Sequence, residues 1–275
     1  MTEDDRAGAR SPEGGRAWWS GCRRLSGKVA FVTGASRGIG EAIARRFSAE
    51  GARVALAARD EVACGKIASD ILRQGGEAVA IGCDVTLAFS VSRAIAAAVA
   101  KWGRIDILVN GAGLGGPTPL ADPDDSRWNA ILATNLTAIF RVTREAAPFL
   151  PAGGRVLNIS SVLGRFGVAG MGAYAASKHG VIGLTRTFAL ELSPRQITVN
   201  ALVPGWVETD MARDSFRRMA RGVEEEGRKM AAEMAPLGRV LDPEEVAGLA
   251  AYLASEEARS ITGQAITIDG GQVMP

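Results

Sequence analysis

Histidine is nearly absent: His179 is the only one in 275 residues. Without a second histidine or any metal-ligand spacing, the sequence predicts no metal centre. A Ser/His/Asp site would have to be built on that single imidazole. Cysteine is scarce as well. Cys22, Cys64 and Cys83 are odd in number and form no C-x-x-C pair, which argues against a disulfide framework or a zinc site. Cys83 follows an apolar run and reads as a small core residue. Charge of one sign is also lacking. Thirty-two Lys and Arg face 30 Asp and Glu, so the net charge is only +2. No basic stripe is available for nucleic acid or an acidic membrane surface. No apolar run approaches the roughly 20 residues that a membrane span requires.

What the chain does have is a large apolar fraction, 47%. That fraction, at this length, suits one globular domain with a full core. The first 27 residues stand apart. Met1 to Gly27 is rich in Gly, Arg, Asp and Ser, has no period, and lacks the apolar stretch of a signal peptide. It reads as a mobile extension, with Trp18-Trp19 as the one segment able to dock elsewhere. The lack of a targeting signal predicts a cytoplasmic protein.

From Lys28 onward, strand-like and helix-like segments alternate. Short apolar, β-branched runs fall at 29–33, 54–58, 78–81, 105–109, 155–159, 197–202 and 265–268. Helical patterns fall at 40–50, 61–73, 91–102 and, over a longer stretch, 126–150. Apolar strands separated by helices predict an α/β fold: a single-domain, doubly wound Rossmann-type sheet of about seven parallel strands, covered on both faces, over 28–275. Its ligand belongs beyond the carboxyl ends of the strands, at the switch point. The segment 210–234 interrupts the alternation; it is charged and carries Met211, Met219, Met230 and Met234. It reads as a solvated helical insertion or as a substrate lid spanning about 206–236.

The first strand runs into Thr33-Gly34-Ala35-Ser36-Arg37-Gly38-Ile39-Gly40. A glycine-rich turn between strand and helix lets backbone N–H groups approach a phosphate, and the helix N-terminus adds partial positive charge. The second strand ends at Ala58-Arg59, where an NAD-binding chain would place a carboxylate for the ribose. Arg59 and Arg37 instead suit a 2′-phosphate, although Asp60 follows immediately. NADP(H) is therefore preferred over NAD(H). Asp84 and Val85 follow the third strand, where a carboxylate and a backbone N–H could meet adenine. Asn110-Gly111-Ala112-Gly113 ends the fourth strand with small residues that allow close approach.

Tyr174 and Lys178 lie four apart, on one face of a helix. A free tyrosine titrates near ~10, and a neighbouring ammonium would lower that value. Ser160 and Ser161 end the strand before this helix, and one of their hydroxyls could hold a carbonyl oxygen. Asn135 falls within a helical stretch that it does not favour, which predicts a bend or a polar network.

Together these segments resemble the short-chain dehydrogenase/reductase family from about Lys28 to the C-terminus. The carriers are 33–40, Asn135, Ser161, Tyr174 with Lys178, and Pro204-Gly205 with Thr209. The resemblance implies a tetrad of Asn135, Ser161, Tyr174 and Lys178, with Ser161 rather than Ser160 as the family serine. It implies that Tyr174 protonates a carbonyl oxygen as hydride arrives from the nicotinamide, and that Lys178 holds the ribose. It further implies that Asn135 anchors a water, and that Pro204, Gly205, Val207 and Thr209 line the nicotinamide and its phosphate. One departure stands out: the family's Asn-Asn-Ala-Gly is here Asn110-Gly111-Ala112-Gly113, which puts a structural hydrogen bond near the cofactor in doubt.

Within the family, the likeness is greatest to 3-oxoacyl-acyl-carrier-protein reductases and polyketide ketoreductases, through 173–180, 204–211 and 261–264. The expected reaction is reduction of a ketone to a secondary alcohol, with a substrate that a carrier could present. Arg213, Arg217, Arg218 and Arg221 could meet such a carrier or its phosphate, or form a solvated face. The alternatives are an NAD(P)-dependent dehydrogenase of a sugar, steroid or other secondary alcohol, and a non-catalytic cofactor sensor. The family implies a homotetramer or homodimer formed through the Tyr174 helix and the one before it.

Overall fold

The computed structural model describes residues 23–274; Trp18-Trp19, Cys22 and most of the N-terminal extension lie outside them. Seven parallel strands form one sheet in the order β3-β2-β1-β4-β5-β6-β7. They are β1 Val29–Thr33, β2 Arg53–Ala58, β3 Glu77–Gly82, β4 Ile107–Asn110, β5 Arg155–Ile159, β6 Thr198–Pro204 and β7 Ala265–Ile268. The order reverses between β1 and β4, which opens a crevice above their carboxyl ends.

Helices cover both faces. On one side lie α1 (Gly38–Ala49), α2 (Glu61–Arg73) and α9 (Pro243–Ala254), around Ile43, Phe47, Ile67, Ile71 and Val246. On the other lie α3 (Ala88–Trp102), α5 (Ala138–Ala146) and α6 (Gly172–Leu192), around Ile95, Val142 and Val181. Burying each large apolar side chain stabilises the fold by roughly 1.5–3 kcal/mol. Strands β1 and β5 are buried along their whole length. That double burial is why they read as continuous apolar runs rather than alternating ones.

Three departures from the sequence expectation bear on function. The helical stretch 126–150 is not one helix. α4 (Ser126–Leu132) passes through a π-helical turn at Ala133–Thr137 before α5, and Asn135 sits in that turn. α9 was not anticipated, although Pro243 occupies its first turn and Glu245 accepts from the Asp242 N–H at 2.8 Å. Residues before Lys28 also pack on the domain: Leu25 is fully buried, and Arg24 makes two 2.7 Å bonds to the buried Glu50 carboxylate.

The insertion folds as two helices, α7 (Asp210–Met219) and α8 (Glu224–Glu233), with Arg221 and Gly222 at positive φ between them. They enclose a small core of their own: Ala212, Phe216, Ala231 and Val240, with the Trp206 ring tilted 48° to that of Phe216, centroids 5.5 Å apart. Among the described residues, no helix is long and apolar enough to cross a membrane.

Candidate active site

The glycine turn closes over the crevice. Gly34 and Gly38 have positive φ, a conformation that costs L-residues about 1–2 kcal/mol. A Cβ on Gly34 would lie 2.7 Å from Ala112 and from the Gly111 carbonyl; one on Gly38 would lie 3.1 Å from the Thr209 methyl. The turn is thus wedged between the exit of β4 and the start of α7. Arg37 is the N-cap of α1 and supplies no side-chain cap. The helix therefore presents its first-turn N–H groups toward the crevice. Thr33 ties this region together. Its hydroxyl donates to the Val109 carbonyl and accepts from the N–H groups of Gly111 and Ala112. The sequence reading did not single it out, because its role depends on the β1–β4 pairing.

At the end of β2, Arg59 is exposed. Asp60, the carboxylate that could have weakened a phosphate site, is engaged elsewhere: it caps α2 by accepting from the Ala63 N–H at 2.9 Å. Arg37 is 75% exposed and lies 3.7 Å from Asp210 on α7. Asp84 accepts from the Thr86 N–H and hydroxyl, and Arg59 is close enough to help hold its carboxyl below the ordinary range, after the Thr86 hydroxyl. Arg141 on α5 donates to the carbonyls of Val85 and Thr86, fixing that loop. Residues Ser36, Ile39, Gly40, Gly113, Pro204, Gly205 and Val207 complete the rim at the carboxyl ends of β1, β4 and β6. The donor set fits a dinucleotide with a 2′-phosphate: uncapped helix N–H groups for a pyrophosphate and two exposed guanidiniums beside the turn.

The Gly111 departure has a structural counterpart. A Cβ at this position would lie 2.7 Å from the Thr33 carbonyl, so β4 exits too close to β1 for any larger residue without a backbone shift. Asn110 is buried; its amide donates to Thr143 and to Asn158, while its Oδ1 has no partner. At the position where the family has a second amide, this chain has close backbone contact instead.

The tetrad residues converge. Ser161 lies just beyond β5, at the cap of the Val162–Gly164 turn, and its Oγ accepts from the Leu163 N–H at 3.2 Å. Tyr174 and Lys178 share a face of α6, with the ammonium 5.5 Å from the phenol ring centre. The Lys178 ammonium donates to the Ile159 carbonyl at 2.8 Å. Asn135 is fully buried. Its amide bonds the Leu114 backbone in both directions, at 2.8 and 2.9 Å, and donates to Ser177 at 3.2 Å. Ser177 in turn donates to the Tyr174 carbonyl. Of the two expectations for Asn135, the polar network is present, and the residue itself lies in a π-helical turn. The π turn rotates the amide inward, where it fastens the β4 loop to α6.

Burial governs the electrostatics of the pair. Burial pushes the Tyr174 phenol above its ordinary value, with the Ser161 hydrogen bond acting in the opposite direction. Burial also pulls the Lys178 ammonium down to about 8. Desolvation disfavours the charged form of each group. At neutral pH the phenol therefore keeps its proton, the state needed to donate one.

The arginines of α7 are mostly committed. Arg213 pairs with Glu208, Asp210 and Glu224; Arg217 pairs with Asp214 and Glu224. Thr118 was also missed by sequence reasoning. Its hydroxyl accepts from the Ala173 N–H at 2.9 Å, capping the start of α6 beside Tyr174.

This is the site of a dinucleotide-dependent oxidoreductase built on a doubly wound sheet. A family model described as enoyl-(acyl carrier protein) reductase matches residues 34–272. The chain belongs to the short-chain dehydrogenase/reductase family. It is 42% identical, over 88% of its length and 92% of the relative's, to the ketoacyl reductase 1 assigned to the granaticin polyketide synthase of Streptomyces violaceoruber. It is 40% identical to a 3-oxoacyl-[acyl-carrier-protein] reductase of Vibrio cholerae, over 91% and 99% of the two chains. A crystal structure of an actinorhodin polyketide ketoreductase variant with NADPH superposes with a TM-score of 0.85 at 40% identity, covering 91% of this chain and 98% of that one.

Proposed function

We propose that this chain reduces a ketone to a secondary alcohol with NADPH, the ketone being a 3-oxoacyl thioester or a polyketide-like carbonyl. The convergence of Ser161, Tyr174 and Lys178 beside the uncapped N-terminus of α1 carries this reading. Bound NADPH supplies a hydride to the carbonyl carbon. The Ser161 hydroxyl donates a hydrogen bond to the carbonyl oxygen. Tyr174, protonated at rest, gives its proton to that oxygen as negative charge develops, and the product is the neutral alcohol. Lys178 holds the nicotinamide ribose. Asn135 fixes the turn beside it and supports the water path that returns a proton to Tyr174. Arg37 and Arg59 take the 2′-phosphate. Pro204, Gly205, Val207 and Thr209 line the nicotinamide end.

Residues 206–236 form the substrate lid, with Met211 facing Gly113 and Gly115 across the crevice. From Glu208 to Glu233 this segment carries seven carboxylates against six cations. An acidic carrier would therefore find no net attraction there, and the reading places no carrier contact on those arginines. Phe140 and Leu190 are exposed on α5 and α6 and suit a homotetramer or homodimer in the cytoplasm.

The test is NADPH consumption with 3-oxoacyl thioesters, cyclic ketones and quinones, run alongside NADH and Tyr174→Phe. Tyr174-dependent turnover, faster with NADPH, is expected. Equal or faster turnover with NADH would remove the phosphate role of Arg37 and Arg59. NADPH binding without any turnover would favour the sensor.

A further inference from the structure

Ser160 is the polar residue that the tetrad leaves out. It is 3% exposed, and its hydroxyl donates to the main-chain carbonyl of Lys178 at 2.9 Å. Its neighbour Ile159 offers its carbonyl to the Lys178 ammonium at 2.8 Å. Two consecutive residues of the β5 end thus hold one residue of α6, one through its backbone and one through its side chain. A mid-helix carbonyl already accepts from the N–H four residues on, so the serine uses its second lone pair. Packing alone would be served by alanine, and a buried hydroxyl is retained at a cost unless its bond does something.

A third element meets at the same point. Gly164 lies in the single 3-10 turn that follows Ser161, Val162–Gly164. A Cβ there would lie 2.8 Å from both the Lys178 carbonyl and the Ser160 Oγ. The bond between Ser160 and Lys178 is therefore enclosed by a turn that tolerates no side chain. Strand end, helix and turn are in contact around a single hydrogen bond.

We propose that Ser160 is a positioning residue: through the Lys178 carbonyl it fixes the turn of α6 that presents Lys178 to the cofactor ribose. This rests on the reductase reading of the tetrad. Without the hydroxyl, the turn relaxes away from β5 and carries the ammonium with it. The substrate carbonyl, held by Ser161, is affected much less.

The experiment compares Ser160→Ala and Gly164→Ala with the full-length chain. NADPH affinity is read by fluorescence titration, and the pH profile and KM values by turnover. The ionisation of Lys178 is read without turnover, by pH-dependent acylation with acetic anhydride and mass spectrometry, using exposed Lys66 as the internal reference. Ser160→Ala should weaken NADPH binding by about five- to tenfold, the scale of one buried hydrogen bond. It should shift the Lys178 labelling midpoint and the alkaline limb of the pH profile together, and leave the ketone KM within about twofold. Gly164→Ala should reproduce the pattern, and the double variant should be no worse than the worse single one, because both act on one contact. Unchanged NADPH affinity and labelling midpoint in Ser160→Ala would overturn the proposal. Parallel losses in NADPH and ketone binding with an unmoved Lys178 would overturn it as well, and would leave Ser160 a packing residue. If the wild-type chain reduces no ketone, the reductase reading fails, while the titration and labelling still decide the role of Ser160.

Discussion

Replacing Gly34 by alanine tests whether the cofactor turn is set by backbone contact. Two costs can be worked from the structure. The positive φ of 68° adds about 1–2 kcal/mol for an L-residue. The new Cβ would lie 2.7 Å from Ala112 and the Gly111 carbonyl, about 0.7 Å inside ordinary contact, and both neighbours are backbone. Overpacking of this kind costs about 1–3 kcal/mol. The total of about 2–5 kcal/mol should lower Tm by roughly 5–15 °C in a chain of this size. Relief of the clash must move the turn or the β4 exit by several tenths of an ångström. Because a misplacement of about 1 Å costs ~100-fold, NADPH affinity should fall at least about tenfold. Gly103→Ala is the control: its φ is 78° and nothing lies within 4 Å of its Cβ. It should melt about 1–2 kcal/mol below wild type and bind NADPH normally. Fluorescence titration and thermal melts of both variants decide the matter. A Gly34→Ala protein that binds NADPH like wild type and melts with Gly103→Ala would refute the contact argument.

Arg59→Asp should cut kcat/KM for NADPH by about tenfold or more, the loss of a charge-assisted bond plus repulsion, and spare NADH; equal losses with both cofactors would remove Arg59 from phosphate recognition. Asp210→Asn should tighten NADPH about two- to threefold at low salt by releasing Arg37, with no change for NADH; an unaltered NADPH-to-NADH affinity ratio would count against competition for that guanidinium. Glu50→Gln should destabilise the fold by about 3–5 kcal/mol, because Glu50 is fully buried against Arg24 and Arg46. Burial pushes the Glu50 carboxyl up, but the two arginines pull it below its ordinary 4.5 overall. Its stabilisation is therefore complete above about pH 4.5 and is lost as pH falls through the lowered value. Urea melts of wild type and variant should converge at acid pH, and a constant gap down to pH 3 would contradict this.

The strands were legible because burial on both faces leaves them as unbroken apolar runs, and Arg155–Ile159 and Ala265–Ile268 were placed to the residue. The glycine turn and the Tyr174–Lys178 spacing were legible because local chemistry demands those residue types. The π turn at Ala133–Thr137 was not, since the partner of Asn135 within it is Leu114, 21 residues away. Asn135 gave only the hint of a polar side chain in a helix. Asn158 gave a similar hint that was passed over: it stands in an apolar strand and links Asn110 to Thr185. Spacing reveals the charge beside Tyr174 but not the loss of solvent around both groups. α9 was missed although Pro243 and Glu245 mark its start.

The separate core of α7 and α8 means that the excursion holds its shape by Phe216 and Trp206 rather than by the sheet. The chemistry lies elsewhere, on the end of β5 and one face of α6. Such a division lets mutation explore one part while the other stays fixed. On the lid reading proposed above, a new side chain beyond Thr209 would alter which ketones are admitted without disturbing proton delivery, so selectivity could drift under neutral change long before the reaction itself is at risk. For an engineer, the part open to exchange is the body of α7 and α8 beyond Thr209, because Val207 and Thr209 belong to the cofactor rim and Thr209 packs against Gly38.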